Sequence, residues 1–214
     1  DYVKEILGSE GLTQPRLWTA DRKGKDREDM HEYKVKYNFA FAFSKTVKLC
    51  EYFHNSSYLE YGGSTEKAVR QAFTSFLDSY MKSNNKYLKN ESKIQFVDIE
   101  DCLVMVSSSF STQTSYENQT KKAINNKFIY EAAVDFLKHQ LEVYFIENPD
   151  DANKICDQVL INKRSRESAE KTRVNAKKLY TEKLDMANMV KKFVDCRSKD
   201  VSKRELYIVE GDSA

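Results

Sequence analysis

Alternation of apolar and polar residues is clearest between Glu32 and Phe43. Tyr33, Val35, Tyr37, Phe39, Phe41 and Phe43 share one face of an extended segment, and Lys34, Lys36, Asn38, Ala40 and Ala42 share the other. Thr46 to Phe53 predicts a second strand after Ser44-Lys45, so the two together read as an antiparallel hairpin with one wet face. Beyond Gly62-Gly63 the apolar spacing changes to three and four. Ala68, Val69, Ala72, Phe73, Phe76, Leu77 and Tyr80 predict a core-facing helix to about Met81, with Ser64 or Thr65 as its cap. Asp98-Ile99-Glu100-Asp101 leads into a buried strand from Cys102 to Phe110, and Asn126 to Asn148 reads as a long amphipathic helix.

Asn148-Pro149-Asp150-Asp151 opens a further helix, on which Ala152, Ile155, Cys156, Val159 and Leu160 are still apolar. From Asn162 that stripe fades, and Lys163 to Lys178 is polar nearly all round, with seven Lys or Arg against two Glu. Such a helix projects from a domain or bridges to another. Two shorter pieces complete the N-terminal part: a helical turn from Tyr2 to Leu7 ended by Gly8, and a strand-loop from Gly11 to Asp29. At the other end Leu206-Tyr207-Ile208-Val209 reads as a buried strand running into Glu210-Gly211-Asp212-Ser213-Ala214. The mixture of strands and helices predicts an α/β or α+β fold.

Composition narrows the class. The 214 residues are 40% hydrophobic and 32% charged, with a net charge of +2, which suits a globular chain and gives no global argument for nucleic acid. No apolar run exceeds five residues, so no membrane-spanning helix of ~20 residues is expected. Asp1-Tyr2-Val3-Lys4 has no basic and apolar leader and no initiator Met, so nothing signals secretion and a piece of a longer polypeptide is expected. Cys50, Cys102, Cys156 and Cys196 form no CxxC pair, and the three histidines are scattered. Reduced thiols in a cytoplasmic protein are expected rather than a zinc site.

Two stretches carry candidate chemistry. Tyr116 to Lys122 lies between the predicted buried strand and the long helix, a common place to present side chains to a ligand. Gln119, Thr120 and Lys121 offer there an amide, a hydroxyl and an ammonium that donate hydrogen bonds to an anion. The basic helix supplies Lys163, Arg164, Arg166 and Arg173 as candidates for sequence-independent contact with DNA phosphates, against the plainer reading of a solvated charged helix. The Phe-Ala-Phe-Ala-Phe run is hairpin core rather than a stacking platform for bases.

The tail from Asp195-Cys196 through Glu205-Leu206-Tyr207-Ile208-Val209-Glu210-Gly211-Asp212-Ser213-Ala214 resembles the entry to the Toprim domain of type II topoisomerases. Gln119-Thr120-Lys121 resembles the Gln-Thr-Lys loop in the transducer domain of the same enzymes, with Gly62-Gly63 before a helix in keeping. The family is that of bacterial DNA gyrase B and its topoisomerase IV counterpart. Ser111 to Tyr116, Ser64-Thr65 and Met189 to Val194 depart from its usual pattern.

The resemblance implies a ribosomal-S5-domain-2-like transducer over residues 1–160, mainly an antiparallel sheet backed by helices. It implies a long connecting helix over 161–195 and a truncated first Toprim strand over 196–214. It further implies that Lys121 reaches the γ-phosphate of ATP bound in a preceding domain, with Gln119 beside it. Glu210 would be the catalytic Toprim glutamate that helps hold Mg²⁺, with partners outside this chain. Double-stranded DNA, a gyrase A-type subunit and self-dimerisation in the full protein follow from the family, while the fragment alone is expected to be inactive. The alternative is a non-catalytic nucleic-acid-binding α/β module of the same fold.

Overall fold

The computed structural model describes residues 1–117, 119–189, 196, 198 and 200–208, with side chains beyond residue 181 described only at 196, 198 and 200–208. The chain divides into two compact units, Asp1–Arg166 and Glu167–Ala214. Its elements in order are α1 (Tyr2–Leu7), β1 (Arg16–Gly24), β2 (Tyr33–Phe43), β3 (Leu49–His54), β4 (Ser57–Tyr58), α2 (Ser64–Ser83), α3 (Phe96–Glu100), β5 (Leu103–Ser111), α4 (Lys127–Glu147) and α5 (Pro149–Met189).

The first unit is a five-stranded sheet in the order β1-β2-β5-β3-β4, antiparallel except for β3 against β5. A mainly antiparallel sheet backed by helices is what the resemblance implied. The aromatic face of β2 behaves as its alternation predicts: Tyr37, Phe39, Phe41 and Phe43 are wholly buried against Phe73 of α2 and Phe136 and Tyr144 of α4. Each such ring contributes roughly 1.5–3 kcal/mol by leaving water. The Tyr37 hydroxyl donates to the carbonyl of Ile129 at 2.7 Å, so the polar atom among these four rings is satisfied.

The expected hairpin of the second and third strands does not form. β2 pairs instead with β1 on one side and β5 on the other, and β3 lies beyond β5, parallel to it. Parallel neighbours require a long crossover, and the chain supplies one in α2 and α3 between β3 and β5. The lead-in at 98–101 runs into β5 as expected. Residues 98–100 close the short helix α3, with Asp101 as its C-cap, and Asp98 accepts the backbone N–H of Gln95 at 2.8 Å in a capping box.

The opposite face of the sheet is not uniformly wet. Val3 and Leu7 of α1 cover Ala42 and Val104, whereas Lys34 and Lys36 at the other end of β2 are exposed. α2 starts at Ser64 itself, so Ser64 and Thr65 lie inside the helix rather than before it. α5 carries the stripe Ala152, Ile155, Cys156, Val159, Leu160 into the core. Burial pushes the Cys50, Cys102 and Cys156 thiols up to about 12, which leaves them unreactive.

In the second unit the described side chains are mostly exposed, and Asp200 caps a 3₁₀ turn at Val201–Lys203 through its carboxylate, 3.1 Å from the Ser202 N–H. Leu206, Tyr207 and Ile208 are exposed and outside any strand, contrary to the buried strand expected there; Val209 lies outside the described residues. A strand needs neighbouring backbone to pair with, and this unit has no strand among its described residues.

Candidate functional site

The Gln119-Thr120-Lys121 loop is an excursion fastened at its base. Ile124 bridges Tyr116 on one side and Gly63 on the other. Tyr61 N–H donates to the Lys122 carbonyl at 3.0 Å, Glu117 N–H to Ala123 at 3.0 Å, and Ser64 N–H to Ile124 at 2.8 Å. The Ser64 hydroxyl donates to the carbonyl of Asn126 at 2.8 Å, so it anchors the segment that leaves the loop instead of capping α2. Ion pairs Lys67–Glu117, at 3.3 Å, and Lys122–Glu60 brace the two sides.

Gly63 makes the close approach possible. Its φ is 109°, and a Cβ placed there would sit 2.1 Å from the Ile124 carbonyl oxygen. Gly63→Ala is therefore expected to cost about 3 kcal/mol or more, from backbone strain plus a clash that only backbone movement relieves. Urea unfolding of wild type and variant measures this, and a loss below about 1 kcal/mol would show that the loop base is not held as described.

Above this base Gln119, Thr120 and Lys121 are exposed, and Asn118 lies outside the described residues. Lys121 adopts φ 57°, a left-handed conformation that costs a non-glycine residue about 1 kcal/mol. Its ammonium stands 5.7 Å from the centre of the Tyr116 ring. The segment between β5 and this base is tied down by a polar cluster whose only signal in the sequence is a lone histidine. His54 is wholly buried, with Nδ1 2.8 Å from the Ser109 hydroxyl and Nε2 2.8 Å from the Thr114 hydroxyl. Asn55, at φ 46°, accepts from the Ser111 N–H at 3.0 Å and donates to the Ser111 carbonyl at 3.2 Å.

Burial pushes the His54 pKa down to about 4, so the imidazole is neutral in the folded chain at neutral pH. The unfolded chain takes up a proton near pH ~6.5, the folded one only near 4, so stability is lost as pH falls through that window. The loss approaches about 3 kcal/mol at its lower end, at 1.36 kcal/mol per pH unit. His54→Gln should flatten this part of a stability-versus-pH curve measured by urea unfolding, and an unchanged slope would contradict the assignment.

The N-terminus of α4, immediately after the loop, already holds an anion. Asp26 accepts the Phe128 N–H at 2.8 Å and the side chain of buried Asn126 at 2.8 Å, while Tyr33 donates to it at 2.9 Å. Burial, with Asp26 alongside, raises the Tyr33 pKa and keeps its hydroxyl protonated. The backbone donor at that helix end is therefore already taken by a carboxylate of the chain itself.

The basic helix looks different once its side chains are placed. Lys163 continues the buried stripe one turn past Leu160, is wholly buried, and pairs with Glu91 at 3.0 Å. Arg164 grips the same carboxylate through two bonds of 3.0 and 3.1 Å. These bonds from Arg164, helped by Lys163, hold Glu91 down to about 2. Arg166 is bidentate to buried Asp98 at 2.7 and 3.1 Å. Arg173 is the most exposed of the four, 3.5 Å from Glu170, and Arg164 is exposed as well despite its hold on Glu91. Burial at a stripe position thus turns Lys163 inward, and carboxylates of the same unit engage Arg164 and Arg166. The spacing 152, 155, 156, 159, 160, 163 was the signal available for Lys163.

Glu210 lies outside the described residues. Among the described residues no group of three or more His, Cys, Asp or Glu could hold a metal ion. Nor is any helix among them long and apolar enough to cross a membrane.

A model of the DNA gyrase B family matches residues 1–175. The DNA gyrase B protein of Metamycoplasma arthritidis is 32% identical over 216 residues, covering 100% of this chain and 33% of the relative. That of Chlamydia pneumoniae is 31% identical, covering 99% of this chain and 25% of the relative. The chain thus spans a third or less of these relatives' length. Among solved structures, the 43K ATPase domain of Thermus thermophilus gyrase B has a TM-score of 0.64 at 20% identity, covering 80% of this chain and 44% of that one. The topoisomerase IV ATP-binding domain of Francisella tularensis has a TM-score of 0.56 at 19% identity, covering 68% of this chain and 39% of that one. At these identities the likeness speaks for the fold.

Proposed function

Since the chain belongs to the DNA gyrase B family, we propose that it couples ATP binding to DNA strand passage in a type II topoisomerase, working as part of a longer cytoplasmic polypeptide. In this reading residues 1–160 are the transducer, 161–195 the connecting helix and 196–214 the start of Toprim. Double-stranded DNA, a gyrase A-type subunit and a second copy of the polypeptide are its partners. The observation that carries the reading is the loop: Lys121 is exposed on an excursion clamped by Gly63, Ser64 and Ile124.

The residues fit one end of a polyphosphate and not a whole nucleotide. Lys121 supplies a point charge for a terminal phosphate, and Gln119 adds an amide donor beside it. Base and ribose must be held by another part of the polypeptide, so the 214-residue chain alone is expected to hydrolyse no ATP. Loss of the terminal phosphate removes the contact, which lets the loop report nucleotide state through the fastened strands below it. Glu210 contributes to the Mg²⁺-dependent DNA chemistry only together with carboxylates from outside this chain; when bound, the ion stabilises charge on the phosphate oxygens.

The test is ATP-dependent relaxation or supercoiling of plasmid DNA by the longer polypeptide with its A-type partner. Topology change that requires ATP is the expected result. DNA binding without any ATP-dependent change in topology would favour the non-catalytic module instead.

A further inference from the structure

The sheet face turned away from α2 and α4 carries a second charged feature. Where β1 and β5 end and β2 begins, a shallow cleft of about 600 Å³ is lined by Lys23, Lys34, Lys36 and Phe110, with Asp21 as its one acid. Arg22 belongs to the same rim, but its guanidinium lies 5.5 Å over the Phe136 ring on the helix side. Lys23 stands directly across from Lys34 in the strand register, and Lys36 stands across from Asp21 and Phe110.

Like charges directly opposite one another on a sheet are destabilising. Glu32 pairs with Lys23 at 2.6 Å, but Lys34 and Lys36 carry no ion pair among the described residues. The two lysines are one strand repeat apart, about 7 Å, and with Asp21 across from Lys36 and Glu32 on Lys23 the patch keeps a net positive charge that a further anion would offset. Phe110, 41% exposed, gives the cleft an apolar floor that strengthens the field above it.

We propose that this half of the open sheet face contacts the phosphate backbone of duplex DNA. The proposal rests on the reading of the chain as part of a DNA-handling enzyme, and it names a contact surface distinct from α5. Lys163, Arg164 and Arg166 already hold Glu91 and Asp98, which offsets their charge, whereas Lys34 and Lys36 carry no ion pair among the described residues. An extended, open, cationic surface suits a repeating polyanion better than a small one, and Asn38 opposite Ser108 continues it with hydrogen-bonding groups. An acidic peptide is the competing occupant.

The experiment is fluorescence-anisotropy titration of the 214-residue chain with a labelled random-sequence duplex of about 30 base pairs, between about 50 and 200 mM salt. Lys34→Gln/Lys36→Gln is compared with wild type and with Arg173→Gln. Each lysine–phosphate contact contributes about 0.9 to the salt slope, so the double variant should lose nearly 2 from it. Over that salt range wild type should weaken about tenfold more than the variant. The variant's thermal midpoint should match or exceed wild type, because a repulsion has been removed.

Three outcomes overturn the proposal: no duplex binding by wild type at the lowest salt, unchanged slope and affinity in the double variant, or tighter binding of poly-glutamate than of duplex. If the double variant binds unchanged while the longer polypeptide still shows ATP-dependent strand passage, the surface assignment fails and the enzymatic reading stands.

Discussion

Lys121→Ala in the longer polypeptide is expected to lower ATP turnover by about 100-fold or more, the usual effect of removing one preorganised charge from a transition state. The loss should appear in kcat, with nucleotide affinity changed only slightly, if base and ribose are held by another part of the polypeptide as proposed. Stability should hardly move. Lys121 is exposed, and its ammonium is 5.7 Å from the Tyr116 ring centre, so truncation is worth about 0.5 kcal/mol at most. Lys121→Arg keeps the charge but changes its shape, and should restore part of the rate. Turnover undiminished in the alanine variant would remove Lys121 from the nucleotide contact.

The second large effect concerns folding. Asp98 is 1% exposed, accepts the Gln95 N–H and holds Arg166 through two bonds, while its own carbonyl accepts from Asn162 at 3.0 Å. Asp98→Ala removes the α3 cap and strands the guanidinium, for an expected loss of about 3–5 kcal/mol. For a domain whose whole stability is about 5–15 kcal/mol this is severe. Arg166→Ala leaves the buried Asp98 carboxylate without its cation but keeps the α3 cap, so it should cost somewhat less, about 2–3 kcal/mol. Urea unfolding of the two variants gives the order directly. Equal losses would mean that the α3 cap adds nothing beyond the ion pair.

The same residues show how far the sequence could be read. Period-two alternation placed β2, and three-four spacing placed α2 and α4, because those faces are decided by burial alone. Strand partners were not legible in the same way. Adjacency suggested that β2 and the following strand pair, yet the helix between β3 and β5 makes a crossover, and β5 takes the place beside β2.

Charge misled for a similar reason. Lys163, Arg164 and Arg166 look solvated in a composition count, but their partners Glu91 and Asp98 lie 68 to 73 positions away in sequence. Among the candidate site residues, Lys121 was visible through its motif. His54 was not, because its burial depends on Ser109 and Thr114 meeting it from another strand and loop.

The central claim is that the loop from Tyr116 to Ile124 senses the terminal phosphate of ATP. Backbone hydrogen exchange of that segment in the longer polypeptide tests it most directly, with a non-hydrolysable ATP analogue, with ADP and without nucleotide. Protection of the loop by the triphosphate analogue alone is the predicted result. Equal protection by ADP, or no change with either nucleotide, would contradict it.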